Sequence, residues 1–112
     1  VKRRPKQIGT EGETAVARYL LQWFPGIHRL APAGDADCGD LGGVPDLTIQ
    51  VKVRRELALA EWVDQSAAQA ARAGTAAYVV VHKRRGKGDP GQWYVTTRLE
   101  VFAPLYAQRA LA

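Results

Sequence analysis

Cysteine is almost missing from this sequence. Cys38 stands alone, so no internal disulfide can form, and a disulfide-held secreted scaffold is excluded. Histidine is scarce too: His28 and His82 lie far apart and lack metal-ligand spacing, so neither is expected to act. No apolar run approaches the roughly 20 residues that cross a bilayer, and no membrane partner is expected. The basic start, Val1-Lys2-Arg3-Arg4-Pro5-Lys6, is not followed by an apolar core, so no signal peptide is expected and the cytoplasm is the expected compartment. Internal repeats, low-complexity linkers and the phosphate-binding glycine motif of nucleotide hydrolases are also absent. With 112 residues the chain has room for one modest core. The expected division is a flexible basic tail over 1–8 and one domain over 9–112.

What is abundant is positive charge in three places. The net charge is +5, and eleven of sixteen basic residues fall in clusters: Lys2, Arg3, Arg4 and Lys6; Lys52, Arg54 and Arg55; Lys83, Arg84, Arg85 and Lys87. Clusters of this kind suit a polyanionic partner, because each phosphate contact releases condensed counterions.

The chain then divides into elements. Thr10-Glu11-Gly12-Glu13 has the form of a capping box, and Val16, Leu20, Trp23 and Phe24 recur at helical spacing until Pro25-Gly26. Glu13 falls on that apolar stripe, while Glu11 lies about 140° round the helix from Val16. If either acid faces inward it is Glu13; otherwise Glu13 only completes the cap. Ile27 to Leu30 reads as a short strand, and a second enters at Gly39-Asp40-Leu41. Gly42-Gly43-Val44-Pro45 turns the chain into a third. There Leu47, Ile49, Val51 and Val53 alternate with Thr48, Gln50, Lys52 and Arg54. Glu56 to Ala73 is an expected helix with Leu59, Trp62, Val63, Ser66, Ala70 and Ala73 inward and Gly74 as its stop. Gln65 and Gln69 share one of its faces. The unbroken apolar run Ala76 to Val81 is expected as a central strand covered on both sides. A basic, glycine-rich loop follows over His82 to Gln92, then a strand over Trp93 to Thr97. Thr97-Arg98-Leu99-Glu100 opens a last helix that Pro104 should end or kink. The expected class is α/β: a central mixed sheet flanked by helices.

The third strand carries the chemistry. Gln50 offers a neutral oxygen, and Lys52 projects beside it about 6–7 Å along the strand. Mg²⁺ takes oxygen donors, usually one or two carboxylates with waters and substrate phosphate. A neighbouring lysine can orient a water and stabilise charge on a phosphoryl group. The completing carboxylate has three candidates. Asp46 lies four residues before Gln50, roughly 13 Å away in an extended strand. Asp40 precedes the turn, and a hairpin folds it back towards Gln50, which makes it the preferred acid. A bulge near Pro45 would favour Asp46, and a tight hairpin would admit Asp37. The loop Lys83-Arg84-Arg85-Gly86-Lys87 suits a phosphate clamp that holds without reading sequence.

Together these residues resemble the PD-(D/E)xK nuclease superfamily, and within it the small Holliday-junction resolvases of phage and archaeal type. The resemblance covers most of the chain and is carried by Glu13, the Gly39-Asp40-Leu41-Gly42-Gly43-Val44-Pro45 turn and Gln50-Val51-Lys52. It implies a restriction-endonuclease-like fold over 9–112 and a hydrolase that cuts phosphodiesters of branched DNA with Mg²⁺, or Mn²⁺ in its place. Asp40, Gln50 and Glu13 would be the metal ligands, and Lys52 the catalytic lysine. Arg54, Arg55, Gln65, Gln69, Lys83, Arg84, Arg85 and Lys87 would face DNA. A homodimer making paired cuts in recombination is implied, in a bacterial or phage-infected cell. The chain departs from the commonest pattern at Gln50, where Glu is usual. That leaves three readings beside the resolvase: a restriction or repair nuclease of the Mrr-like Gln-x-Lys kind, an engineered exchange of Glu, or a DNA-binding module without catalysis.

Overall fold

The structure is a computed structural model that describes residues 2–112; Val1, part of the expected tail, lies outside them. Eight elements follow in the order α1 (Pro5–Leu20), β1 (His28–Arg29), β2 (Leu41–Gly42), β3 (Leu47–Lys52), α2 (Leu59–Ala73), β4 (Ala77–His82), β5 (Tyr94–Thr96) and α3 (Leu99–Ala110). Single 3-10 turns occupy Gly34–Ala36 and Pro90–Gln92. The five strands form one mixed sheet in sequence order, parallel at β3–β4 and antiparallel elsewhere. This is the α/β order read from the sequence. Among the described residues no helix is long and apolar enough to cross a membrane.

Both sheet faces are covered, which explains why β4 is an unbroken apolar run. On one face Val16 and Leu20 of α1 pack against Ile27, Leu41, Ile49, Val51 and Val81. On the other, Trp62, Val63 and Ala70 of α2 and Val101 of α3 pack against Tyr78 and Val80. The polar side of β3 is therefore buried rather than solvent-facing. Thr48 is 2% exposed and shares a 2.7 Å hydrogen bond with Thr75 Oγ1.

Several element boundaries differ from expectation, each for a local reason. Helix α1 starts at Pro5, inside the stretch expected as tail, and Thr10 to Glu13 lie within it. Pro5 supplies a ready-made helical φ at the first position, and Gln7 Oε1 accepts the Arg4 N–H at 3.0 Å, half of a capping box six residues earlier than expected. Trp23 falls beyond the helix end and is exposed, not part of its stripe. Helix α2 begins at Leu59, which is exposed like Ala73, while Gln69 is fully buried in the stripe. Helix α3 runs through Pro104 instead of ending there; the carbonyl that loses its partner belongs to exposed Glu100, where water can reach it. Thr97 caps no helix, because its hydroxyl donates to the Tyr78 carbonyl.

Two glycines set how close the layers sit. A Cβ at Gly12 would stand 2.5 Å from Val53 Cγ2, so only glycine lets α1 lie this close to β3. Gly43 turns the chain at φ +91°, with its α-carbon face against the Gly26 carbonyl. The first brings Glu13 beside β3; the second folds Asp40 back across the hairpin.

Candidate active site

The hairpin delivers Asp40 to the place expected. Leu41 pairs with Ile49, the Asp40 N–H donates to Ile49 O at 2.9 Å, and Asp40 Oδ2 accepts the Val51 N–H at 2.7 Å. A cleft of about 490 Å³ is lined by Glu13, Asp37, Asp40, Gln50, Lys52 and Gln65, with Lys6, Arg29 and Arg54 also on its wall. The structure thus brings Glu13, Asp40, Gln50 and Lys52 together from α1, the β2–β3 hairpin and β3.

Asp46 is elsewhere. It sits at the far end of β3 in the left-handed region, φ +57°, where its Oδ1 accepts the Ala76 N–H at 2.7 Å and its carbonyl accepts the Ala77 N–H at 3.2 Å. Its carboxylate staples the β3 entry to the β4 entry. Asp37 does line the cleft, but both its oxygens are engaged. Oδ1 accepts the Gly39 N–H at 2.9 Å, and Oδ2 accepts Gln69 Nε2 at 2.7 Å. Arg72 Nε holds the Asp37 carbonyl at 2.7 Å.

Those bonds correct the expectation for Gln69. It is 0% exposed and holds the Asp37 loop, so it cannot face a substrate. Gln65, one turn earlier, is exposed and reaches the cleft, where it meets Gln50 at 2.9 Å. Gln65, Gln69 and Arg72 form one polar stripe of α2 that tethers both Gln50 and the Asp37 loop.

Gln50 is 3% exposed, so its amide must be satisfied internally. With Nε2 on Gln65, its oxygen would face the Trp62 carbonyl and its nitrogen the Lys52 ammonium. The turned amide removes both conflicts: Nε2 donates to Trp62 O at 3.3 Å, and Oε1 accepts from Lys52 Nζ at 3.2 Å. The surroundings therefore favour the turned amide, and Gln65 then turns its own amide to donate to Gln50.

Electrostatics single out Asp40. Burial, opposed by the Val51 N–H, pushes its carboxyl up to about 6, and the charges of Glu13 and Asp37 push the same way. Lys52 is lowered, first by burial and then by Arg54. Glu13 is not free of a partner: Arg29 Nε stands 3.2 Å from its Oε1. Glu11, the acid expected to face away, pairs with Arg3 at 3.3 Å on the surface.

Asp40 is therefore a carboxylate held in its neutral form more readily than usual, chiefly by burial, with Lys52 and the Val51 N–H only partly offsetting it. Asp40 could supply a hard oxygen donor of the kind Mg²⁺ or Mn²⁺ takes, and the Gln50 oxygen could supply another by releasing Lys52 or Gln65, which together occupy its two lone pairs. Among the described residues no group of three or more His, Cys, Asp or Glu side chains is arranged for a metal; Glu13 lines the same cleft with its Oε1 on Arg29.

The basic clusters meet at one end of the sheet. Strands β3 and β4 are parallel and both end there, tied by the Lys83 N–H to the Lys52 carbonyl at 3.0 Å. Arg54, Arg55, Lys83 and Arg85 line one surface hollow with Ile8. Arg3 and Lys83 line the next beside Trp93, whose ring lies 5.8 Å under the Lys83 ammonium. Arg84 and Lys87 stand exposed on the same loop. The N-terminal cluster joins them because α1 begins at this end.

Arg29 and Asp37 are the cleft residues whose roles the sequence did not reveal. Arg29 carries no helical or strand signal towards Glu13, sixteen residues away, and only the placement of α1 on the sheet joins them. His82 is buried between Trp62 and Tyr94; its Nε2 meets Thr96 Oγ1 at 2.7 Å, its Nδ1 has no hydrogen-bond partner among the described residues, and burial lowers its pKa. Comparison with models of protein families, with curated proteins and with solved structures gives no match to this chain.

Proposed function

We propose that the protein is a divalent-metal-dependent DNA endonuclease of the PD-(D/E)xK kind, with a restriction-endonuclease-like arrangement of its mixed sheet, acting on branched DNA such as the four-way junction. The observation that carries this reading is the meeting of Asp40, Gln50 and Lys52 in one cleft whose wall runs into the basic end of the sheet. Asp40 and Gln50 would hold Mg²⁺ or Mn²⁺, which supplies a polarised water and charge to offset the phosphoryl group. The residues of the chain do the rest. Lys52, held by the Gln50 oxygen, is aimed into the cleft with its proton loosened by burial, so it can orient the water and share a proton with it. Glu13 adds negative charge across from it. Arg54, Arg55, Lys83 and Arg85 grip the phosphates on either side without reading bases.

The test is a labelled four-way junction with and without Mg²⁺. Cutting should need the ion. Lys52→Ala should lose about 10²–10⁴-fold in rate, the usual worth of a positioned proton-transfer group, while binding is kept. Equal cutting by that variant would remove Lys52 from the mechanism. Running flap, nicked and linear duplexes beside the junction separates resolution from restriction or repair. One observation favours a second reading: Gln50 is neutral and Glu13 is already paired with Arg29, which suits a DNA-binding module without catalysis. Tight binding in EDTA with no cleavage under any divalent ion would decide for it.

A further inference from the structure

The β4–β5 loop borders a hollow that the proposed chemistry leaves unused. It measures about 640 Å³, within the ~300–1,000 Å³ of small-ligand sites, and lies between α1, the residue after β3 and the loop. Ile8, Ala15 and Val53 give it an apolar floor, Trp93 an aromatic wall, and Arg3 and Lys83 a cationic rim. The Trp93 ring is fixed in place: its Nε1 donates to the Lys87 carbonyl at 2.8 Å, and it packs against the core shared by α1 and the sheet. Lys83 stands 5.8 Å from the ring centroid, close to the outer limit of a cation–π contact, so it can leave the ring for a phosphate. The hollow is not isolated. It shares Ile8, Val53 and Lys83 with the hollow of Arg54, Arg55 and Arg85, and that one shares Arg54 with the cleft of Asp40 and Lys52.

We propose that the hollow beside Trp93 takes an unpaired nucleobase, and that the three hollows in line form a track for single-stranded DNA leading away from the scissile phosphate. The inner end of the track rests on the reading of the cleft as the cutting site; the base pocket does not. An aromatic ring, an apolar floor and cations at the rim together match one nucleotide: stacking for the base, charge for its phosphate. A duplex does not fit, because paired bases offer only their edges and keep their ring faces stacked on one another. A bare phosphate chain would suit the rim but not the floor. Glu11, whose Oε1 lies 3.3 Å from Arg3 Nε, is the one acid on the wall. Its charge suits the N–H groups of a base and repels a second phosphate. Along the way Arg3, Lys83, Arg85, Arg55 and Arg54 face the strand, against Glu11 alone. The substrate class narrows to branched DNA with unpaired nucleotides beside the cut, as in a flap, a splayed fork or a junction opened at its crossing.

Fluorescence anisotropy of a dye-labelled oligothymidylate with the full chain, in EDTA so that nothing is cut, tests this. The oligothymidylate should bind more tightly than an abasic strand of the same length and charge. Trp93→Leu should weaken it about 5- to 150-fold, the usual loss when a stacking aromatic is removed, and Trp93→Phe should keep most of the affinity. Because Trp93 also touches the core, Gly88→Leu serves as a second variant: a Cβ there meets nothing within 4 Å, so the fold is kept while the hollow is filled. It should weaken the thymidylate strand as well. Both variants should change binding of a blunt duplex, which is held by its phosphates, less than about twofold. Equal binding of the abasic strand, an unchanged thymidylate affinity in both variants, an equal loss on blunt duplex, or displacement of the strand by polyglutamate at matched charge would each overturn the proposal. The two readings fail separately. A strand held by Trp93 with no cutting under Mg²⁺ removes the nuclease alone, and junction cutting with a Trp93 that no base touches removes the pocket alone.

Discussion

Gln50 is a residue whose surroundings choose the amide over the acid. One end of its side chain donates to a helix carbonyl and the other accepts from Lys52, and the whole is 3% exposed. A glutamate there would turn a carboxylate oxygen towards the Trp62 carbonyl, a buried like-polarity contact. Gln50→Glu is therefore expected to destabilise the metal-free fold by about 1–3 kcal/mol, the usual cost of an unsatisfied buried polar group, and to leave cutting no faster. Chemical denaturation and a junction assay measure the two; a sharp rise in cutting would mean that the site was built for Glu. Asp40 gives a pH signature. Its unfolded carboxyl ionises near 3.8 and its folded one near 6. Between those values the folded chain keeps a proton that the unfolded chain has lost, so stability falls as pH rises from about 4 to about 6 and levels off above. The loss is about 3 kcal/mol at most, at about 1.4 kcal/mol per pKa unit. Thermal unfolding of the metal-free chain should show this decline and Asp40→Asn should flatten it.

At the scale of elements, α1 offers a matched pair of substitutions with opposite signs. Gly9 faces open space, so Gly9→Ala should stabilise the helix by up to about 1 kcal/mol. At Gly12 the same change drives a methyl group into Val53, and the net effect should be a loss of about 1–2 kcal/mol with Glu13 pushed from the cleft. Denaturant midpoints of the two variants check both signs. The elements themselves were largely legible. Alternation exposed β3, glycine and proline exposed the hairpin, and together they were enough to prefer Asp40 to Asp46. What stayed hidden depends on contacts between distant segments. The α1 start was misplaced because Thr10 and Glu13 imitate a cap, while Pro5 and Gln7, the true signal, read as tail. Periodicity put Gln65 and Gln69 on one face, but it could not show that Asp37 returns to bury the second. Arg29 meets Glu13 only through the docking of α1 on the sheet.

For the whole molecule, charge is arranged by topology. Two basic stretches leave the sheet side by side because β3 and β4 run parallel, and α1 sets its own basic start near them. Binding to duplex DNA should therefore be steeply salt-dependent. Replacing Lys83 and Arg85 with alanine should lower the slope of log affinity against log salt by about 2, at roughly 0.9 for each phosphate that is no longer neutralised. Titrations at several salt concentrations measure that slope, and an unchanged one would take this loop off the DNA.

The parallel pairing of β3 and β4 also has a consequence in time. Parallel strands cannot zip from a turn; they wait for the whole crossover, here α2, to be laid between them. The Val51–Asp40 bond spans only 11 residues and needs no β4, whereas the Gln50–Gln65 bond spans 15 and rests on α2, whose apolar side packs on Tyr78 and Val80 of β4. The hairpin that carries Asp40 is thus expected to close early, while the α2 wall of the cleft and the basic loop can settle only together with β4, so that cleft and loop reach their final places in one step.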